Sequence, residues 1–431
     1  MTYSEALEYI RSVCWKGSRP GLERISVLCD MLDHPEQSCR YIHVAGTNGK
    51  GSVSKMLSEI LLAEGYRVGL YTSPYIECFN ERIMYNGENI SDSDLADTTE
   101  YVRRFADKME DSPTEFELIT AIAFAYFKRK QCDFVVLEAG LGGRLDSTNV
   151  INHPVLSIIT GIAFDHMAIL GDTISAIAGE KAGIIKTGCP VLFGEGTDEA
   201  EKVIQTRAAE LAAPYYRTPF EKIGNISSDL RSTEFDFGGK TVRIRLHGLY
   251  QTRNTATVLT ACDILRKSGV AISDKSIDAG LWHTYWKARF EILCEKPLVI
   301  YDGAHNVQGV QSAVDNIGLY LAPMAEDHRV NMVMGVMKDK EYTEMISMLA
   351  PFAARVYCVT PNNNRSLSAV NEAEEYRVRG VAATGYSEIS EGVYAACRDS
   401  LNEKRPLICL GSLYMYADVK QAVQGYQALL E

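Results

Sequence analysis

The chain has 431 residues, of which 46% are hydrophobic and 23% charged, and a formal net charge of −12. That length suits about two to four globular domains of ordinary composition. The acidic balance excludes broad nucleic-acid or membrane-surface binding, which needs basic patches, and leaves anions to local clusters of donors.

The N-terminal stretch "MTYSEALEYIRSVCWKG" is polar and amphipathic, with no signal-peptide core. "YIHVAG" (Tyr41 to Gly46) predicts a short buried strand. "SVSKMLSEILLAEG" predicts a helix: Val53, Met56, Leu57, Ile60 and Leu61 recur at i, i+3/i+4 spacing, and Gly65 is a natural stop. "YRVGLYTSP" predicts a second strand ending in a turn. Strand, Gly-rich loop, helix and strand are the unit of a parallel sheet. The apolar run "LITAIAFAYF" is too short to cross a membrane and ends at Lys128-Arg129-Lys130. "CDFVVLEAG" and "PVLSIITGI" are apolar, β-branched runs suited to a sheet covered on both faces. "WHTYWKARFEILCEK" has no strong period, and the domain boundary is placed there, near Cys294. Beyond it, "PLVIYDGAHN", "RVNMVMGVMKDK", "RVYCVTPNNN" and "RPLICLGS" predict strands separated by helices. The expected fold is α/β: a parallel-sheet domain over 1–293 and a smaller α/β domain over 294–431. The eleven cysteines are scattered, none in C-x-x-C spacing, which points to free thiols and a cytoplasmic protein.

Gly46, Thr47, Asn48, Gly49, Lys50, Gly51 and Ser52 lie between the first strand and its helix. A Gly-rich loop there frees backbone N–H groups to face phosphate oxygens, and the helix N-terminus adds a favourable dipole. Lys50 would reach the terminal phosphates and a hydroxyl would meet Mg²⁺. The strict form G-x-x-x-x-G-K-[ST] is not met, since Val44 replaces the first Gly and Gly51 follows the Lys; a structural turn is the competing reading.

"GTNGKGS" is the form this loop takes in folylpolyglutamate and dihydrofolate synthases of the Mur ligase superfamily, and the chain resembles that family well beyond the loop. "GLER", "YTSP", "FNERI", "TEFELIT", "LEAGLGGRLDSTN", "FDHMAILGDTI", "GEKAGIIK", "HGLYQTRN", "WKARFE", "DGAHN" and "GSLY" follow in family order from Gly21 to Tyr414. The resemblance implies a Mur ligase-like architecture: a P-loop ATPase domain joined to a smaller α/β domain, with the active site in the cleft between them. It implies an ATP-dependent amide ligase that adds L-glutamate to a folate, with dihydropteroate as a second candidate acceptor. The carboxylate takes the γ-phosphate of ATP, and the amine of glutamate then displaces phosphate. Mg²⁺, at two sites, is the implied metal, and the family leaves room for a monovalent cation. The implied partners are small molecules acting on a monomer. The competing readings are a Mur-type ligase with a non-folate acceptor, and a P-loop switch without ligase activity. Against the peptidoglycan ligases stands the short stretch of 45 residues before Gly46.

Individual roles follow from the same resemblance. Glu138 ends a predicted parallel strand, where ligands bind in open α/β sheets. With Ser73 and His166 it matches the family's metal ligands. From chemistry alone, Ser73 is a turn cap and His166 a general base or core histidine, because hard Mg²⁺ prefers oxygen. Lys181 matches a carbamylated Lys, against the alternative of a salt-bridged surface Lys. Asn254, Arg289 and Asp302 match residues at the nucleotide. Tyr250-Gln251 replaces the family's usual His-Gln, and Trp286-Lys287-Ala288-Arg289 replaces Trp-Pro-Gly-Arg. His305 and Ser412 resemble residues near the incoming glutamate. Leu22, Glu23, Arg24, Phe116, Glu117, Leu145 and Asp146 point to the pterin. Arg82 and Arg144 are candidates for carboxylates or phosphates, or for structural ion pairs.

Overall fold

The computed structural model describes residues 1–13, 17 and 19–430, so Cys14 lies outside the described residues. The chain divides into two compact units. The first comprises 1–224, 236–243 and 253–284; the second comprises 225–235, 244–252 and 285–431.

The first unit is built on eight strands: β1 Arg40–Ala45, β2 Val68–Tyr71, β3 Ile83–Tyr85, β4 Glu88–Asn89, β5 Phe134–Glu138, β6 Leu156–Gly161, β7 Val191–Glu195 and β8 Tyr215–Arg217. Their order is β4-β3-β2-β5-β1-β6-β7-β8. All neighbours are parallel except the β2-β3-β4 edge, which is antiparallel. β1, β2, β5 and β6 are buried along almost their whole length, as purely apolar strands require when both faces are covered. The run read as too short for a membrane is the helix Glu115–Arg129. A capping box of Thr114 and Glu117 starts it, and its apolar residues pack into the core beside Tyr41, Tyr71 and Leu137. The helix Lys50–Ala63 is buried on nearly every side. Gly280 of the helix Asp274–His283 lies against its backbone, where a Cβ would meet Ile60 at 2.5 Å. No helix among the described residues is long and apolar enough to cross a membrane.

A three-stranded antiparallel ribbon, β9 Ile223–Ser228, β10 Thr233–Phe237 and β11 Lys240–Ile244, carries the chain through the division between the units. The second unit holds a six-stranded sheet: β12 Glu291–Glu295, β13 Leu298–Asp302, β14 Val330–Met334, β15 Ala353–Cys358, β16 Ala382–Gly385 and β17 Leu407–Leu410, in the order β12-β13-β17-β14-β15-β16. Only β12 is antiparallel to its neighbour. The sequence places the domain boundary between 293 and 294, which falls inside β12; pairing with β13 draws Glu291–Glu295 into the second sheet, and the compact units part at 284/285. Earlier pieces of chain also belong here. Asn316 accepts from the Leu249 N–H, and Tyr320 bonds to Ser228.

Candidate active site

In the first unit, β1 ends at Ala45 and the helix begins at Lys50, so the loop at 46–49 sits at the carboxyl end of a central parallel strand. Gly46 and Gly49 have φ of 152° and 85°, the second serving as helix N-cap. A side chain at Gly46 would collide with Thr160 Oγ1, and one at Gly49 would meet Asn254 Oδ1. Only glycine suits both the left-handed backbone and these approaches. The loop is pinned to the end of β6. Thr47 N–H donates to Gly161 O at 2.7 Å and Thr160 Oγ1 to Asn48 O at 2.7 Å. Lys50 Nζ donates to Gly46 O and Thr47 O, both at 3.1 Å, folding the cation over its own loop. Ser52 is buried in the first helical turn.

Glu138, at the end of β5, is buried, and Ser73 N–H points at its Oε2 from 3.4 Å. Ser73 Oγ is buried with no hydrogen-bond partner. An orphaned hydroxyl beside a buried carboxylate is an oxygen donor set that fits a hard divalent cation. His166 stands apart from this pair in character: its backbone is left-handed, its side chain is half-exposed, and its N–H donates to Asp165 Oδ1 at 2.9 Å. Among the described residues no three His, Cys, Asp or Glu side chains cluster as a metal site. Lys181 is 3% exposed in the helix Ile174–Ala182. Burial, reinforced by Lys50, lowers its amine to about 7, with Asp165 opposing. Its neighbour in sequence, Lys186, instead donates to Asn149 O at 2.9 Å.

Several expected pterin residues are tied to one another. Arg24 pairs with Glu117, Nε to Oε2 and Nη2 to Oε1 both at 3.0 Å, while Glu117 also accepts from Thr114 N–H at 2.7 Å in its capping box. Phe116 packs on Gly140, where a Cβ would lie 2.6 Å from its ring. Leu22 is the N-cap of the helix Glu23–Met31, Glu23 is exposed and Leu145 is half-buried. Arg144 is held by Glu180 at 2.7 Å, the structural ion pair that its sequence left open. Arg82 lies over the rings of Tyr75 and Phe79 at 5.2 and 5.8 Å, with Nε buried and unpartnered.

In the second unit, Asp302 ends β13 and is buried. It accepts from Ala304 N–H at 2.9 Å, Phe290 N–H at 3.1 Å and Tyr250 Oη at 3.3 Å. Burial raises its carboxyl to about 6, with Arg289 opposing. Ala288 and Phe290, on either side of Arg289, both have left-handed backbones, with φ of 54° and 49°. Ala288 therefore occupies a conformation suited to the Gly of the usual Trp-Pro-Gly-Arg motif. His305 Nδ1 lies 2.8 Å from Gly303 O, which can only accept, so in the neutral ring Nε2 carries the lone pair. Ser412 caps the turn Leu413–Met415, and β17 pairs with β13 so that Leu410 lies opposite Asp302.

The Mur ligase middle domain matches residues 44–262 and the Mur ligase glutamate ligase domain matches 288–413. The dihydrofolate synthase/folylpolyglutamate synthase of Bacillus subtilis is 36% identical, over 98% of this chain and 99% of that protein. The chain belongs to the folylpolyglutamate/dihydrofolate synthase family. An FPGS–AMPPCP–folate complex superposes with a TM-score of 0.83 at 32% identity, covering 98% of this chain and all of that one. E. coli FolC in complex with DHPP and ADP superposes with a TM-score of 0.85 at 29% identity, covering 99% of both chains.

For a member of this family, some local partners were invisible in the sequence. Thr160, which holds the phosphate loop to β6, carries no motif signal. In the sequence Tyr250 is only a departure from the family motif, and its contact with Asp302 spans 52 positions. Asp165, which accepts the His166 N–H, carries no motif signal of its own.

Proposed function

We propose that this chain is an ATP-dependent ligase that joins L-glutamate to a folate through an acyl phosphate. The observation that carries the reading is the glycine phosphate loop with the orphaned Ser73 hydroxyl beside Glu138, in a chain matched end to end by folate-named relatives. Those matches also argue against a Mur-type acceptor other than a folate, and against a P-loop switch.

The backbone N–H groups of 46–49 and the following helix terminus bind ATP phosphates. Lys50, whose Nζ is held over the loop by Gly46 O and Thr47 O, is the cation offered to them. Asn254, Arg289 and Asp302 bind the rest of the nucleotide. Ser73 and Glu138, with His166, would hold Mg²⁺, with Lys181 at a second site, and the cation would supply charge neutralisation at the phosphates. An oxygen of the acceptor carboxylate then bonds to the γ-phosphorus and ADP departs. The amine of glutamate bonds to the acyl carbon and inorganic phosphate departs, while the amine proton passes to a base. His305 Nε2 has the chemistry for that proton, and in this reading Ser412 joins it at the incoming glutamate. Leu22, Glu23, Arg24, Phe116, Glu117, Leu145 and Asp146 shape the pterin pocket, and Arg82 faces the acceptor's anionic end. The reading is of a monomer, and the scattered thiols support the cytoplasm. A monovalent cation is compatible with the family.

Lys181 is carbamylated in this reading. A buried amine lowered to about 7 offers a sizeable neutral fraction at neutral pH, and that form adds to CO₂ and releases one proton, turning a cation into an acceptor. Turnover is expected to fall several-fold in CO₂-depleted buffer and to recover with bicarbonate. Lys181→Arg should stay inactive at any bicarbonate concentration; equal rates with and without CO₂ would remove the carbamate.

The primary test is ADP formation with Mg·ATP and L-glutamate plus either a reduced folate monoglutamate or dihydropteroate, with product masses. A glutamate-sized gain on the folate is expected. The same gain on dihydropteroate would make the enzyme bifunctional. ADP release with no gain on either acceptor rejects the assignment.

A further inference from the structure

We infer that His43 and Thr148 form a buried relay that positions the Asp146 carboxylate, and with it the 140–149 loop, for the pterin acceptor. This rests on the folate-ligase reading above. His43 opens the stretch that leads into the phosphate loop, yet it takes no part in the phosphate cradle. It lies in β1 and is fully buried, and its Nε2 is 2.9 Å from Thr148 Oγ1.

The proton count fixes the direction of the relay. Thr148 has one hydroxyl proton, and it donates that proton to Asp146 Oδ1 at 2.6 Å. Its oxygen can then only accept from His43. The imidazole is therefore the Nε2–H tautomer, with a bare Nδ1. The absence of any hydrogen-bond partner at the buried Nδ1 agrees with that assignment. Burial, reinforced by Lys186, holds the ring's titration down to about 3, so it stays neutral wherever the enzyme folds.

Asp146 is the end of the relay. Oδ1 also accepts Thr148 N–H at 3.0 Å, and Oδ2 accepts Leu141 N–H at 2.8 Å. The carboxylate thus ties the Gly-rich turn to the short helix Ser147–Val150 and fixes the direction in which it can meet a ligand. Tyr71 is the titratable group facing it from β2, with its hydroxyl on Thr120 Oγ1 at 3.1 Å. Burial raises the Asp146 carboxyl, and the Thr148 hydroxyl is the foremost group opposing that rise. The relay so links the strand that carries the phosphate loop to the loop expected to carry the acceptor. His43 and Thr148 are positioning residues.

Thr148→Val removes the middle of the relay with little change in volume. It should raise KM for the pterin acceptor about tenfold, the scale of a lost hydrogen bond to a charged group. KM for ATP should stay within about twofold, and the acid limb of kcat/KM for the acceptor should move to higher pH. Thr148→Ser should restore both. An acceptor KM within about twofold of the parent, or equal rises in both KM values, would overturn the proposal. A wild-type chain that adds no glutamate to either acceptor would instead overturn the functional reading beneath it. A separate readout needs no turnover: ¹⁵N shifts of His43, assigned by loss of its signals in His43→Gln, should report the Nε2–H tautomer. The Nδ1–H tautomer would refute the relay.

Discussion

Glu138→Gln is expected to reduce glutamate ligation by roughly a hundredfold or more, the scale of losing one electrostatic partner of a phosphoryl transition state. The residue is buried at the end of β5, and its Oε2 faces Ser73 N–H across 3.4 Å. The amide keeps the shape and an oxygen but removes the negative charge, so core packing is untouched. KM for the folate acceptor should change little, and the unfolding midpoint should stay near that of the parent. If Glu138 holds the cation as proposed, excess Mg²⁺ should recover part of the rate, because the substitution weakens that site and leaves the loop at 46–52 intact. An unchanged rate at low Mg²⁺ would take Glu138 out of the metal site.

Glu372→Leu should stabilise the second unit, and more so as pH rises. Glu372 lies in the first turn of the helix Ala369–Val378 and is completely buried, with neither carboxyl oxygen in a hydrogen bond of good geometry. Burial pushes its carboxyl up to about 8 from an ordinary value of 4.5, opposed only by the Val336 N–H. Below pH 4.5 the folded and unfolded chains both hold the proton. Between about 4.5 and 8 the unfolded chain ionises and the folded one does not, so stability falls as pH rises. At about 1.4 kcal/mol per unit the full effect is bounded near 5 kcal/mol, and roughly 2–5 kcal/mol of gain is expected from Leu at pH 8. At pH 5 most of that gain should vanish. Urea unfolding of the full chain at both values measures it. A gain independent of pH would mean that the benefit comes from packing alone.

The parts of the fold that the sequence reveals are those set by local pattern. β1, β5, β6, β13, β14, β15 and β17 are mostly apolar, β-branched or aromatic runs, legible because most of their residues are buried. β12 is not: its register slips between Ile292 and Cys294, and pairing with β13, more than its own composition, makes it a strand. The ribbon β9–β11 is equally quiet, since "IGNISS" is mostly polar and half-exposed. The phosphate loop could be read because its glycines lie between a strand and a helix and the family motifs follow it in order, although its spacing departs from the strict form. The pairing of Arg24 with Glu117 could not, since 93 positions separate them. Read singly, each looks like a free charge for a ligand; together they neutralise one another. Lys181 and Lys186 lie in one short stretch of sequence, and burial and partner set the two apart.

The second unit is assembled from three stretches of chain, and this orders events during synthesis. By the time residue 284 has emerged from the ribosome, every segment of the first unit exists. The second unit must wait for β17 near the C-terminus, although Ser228 and Leu249, which Tyr320 and Asn316 need, were made long before. No single cut therefore releases it whole. A fragment starting at residue 285 would leave the Asn316 amide and the Tyr320 hydroxyl without those partners, so the glutamate-ligase half is not an exchangeable module in this enzyme.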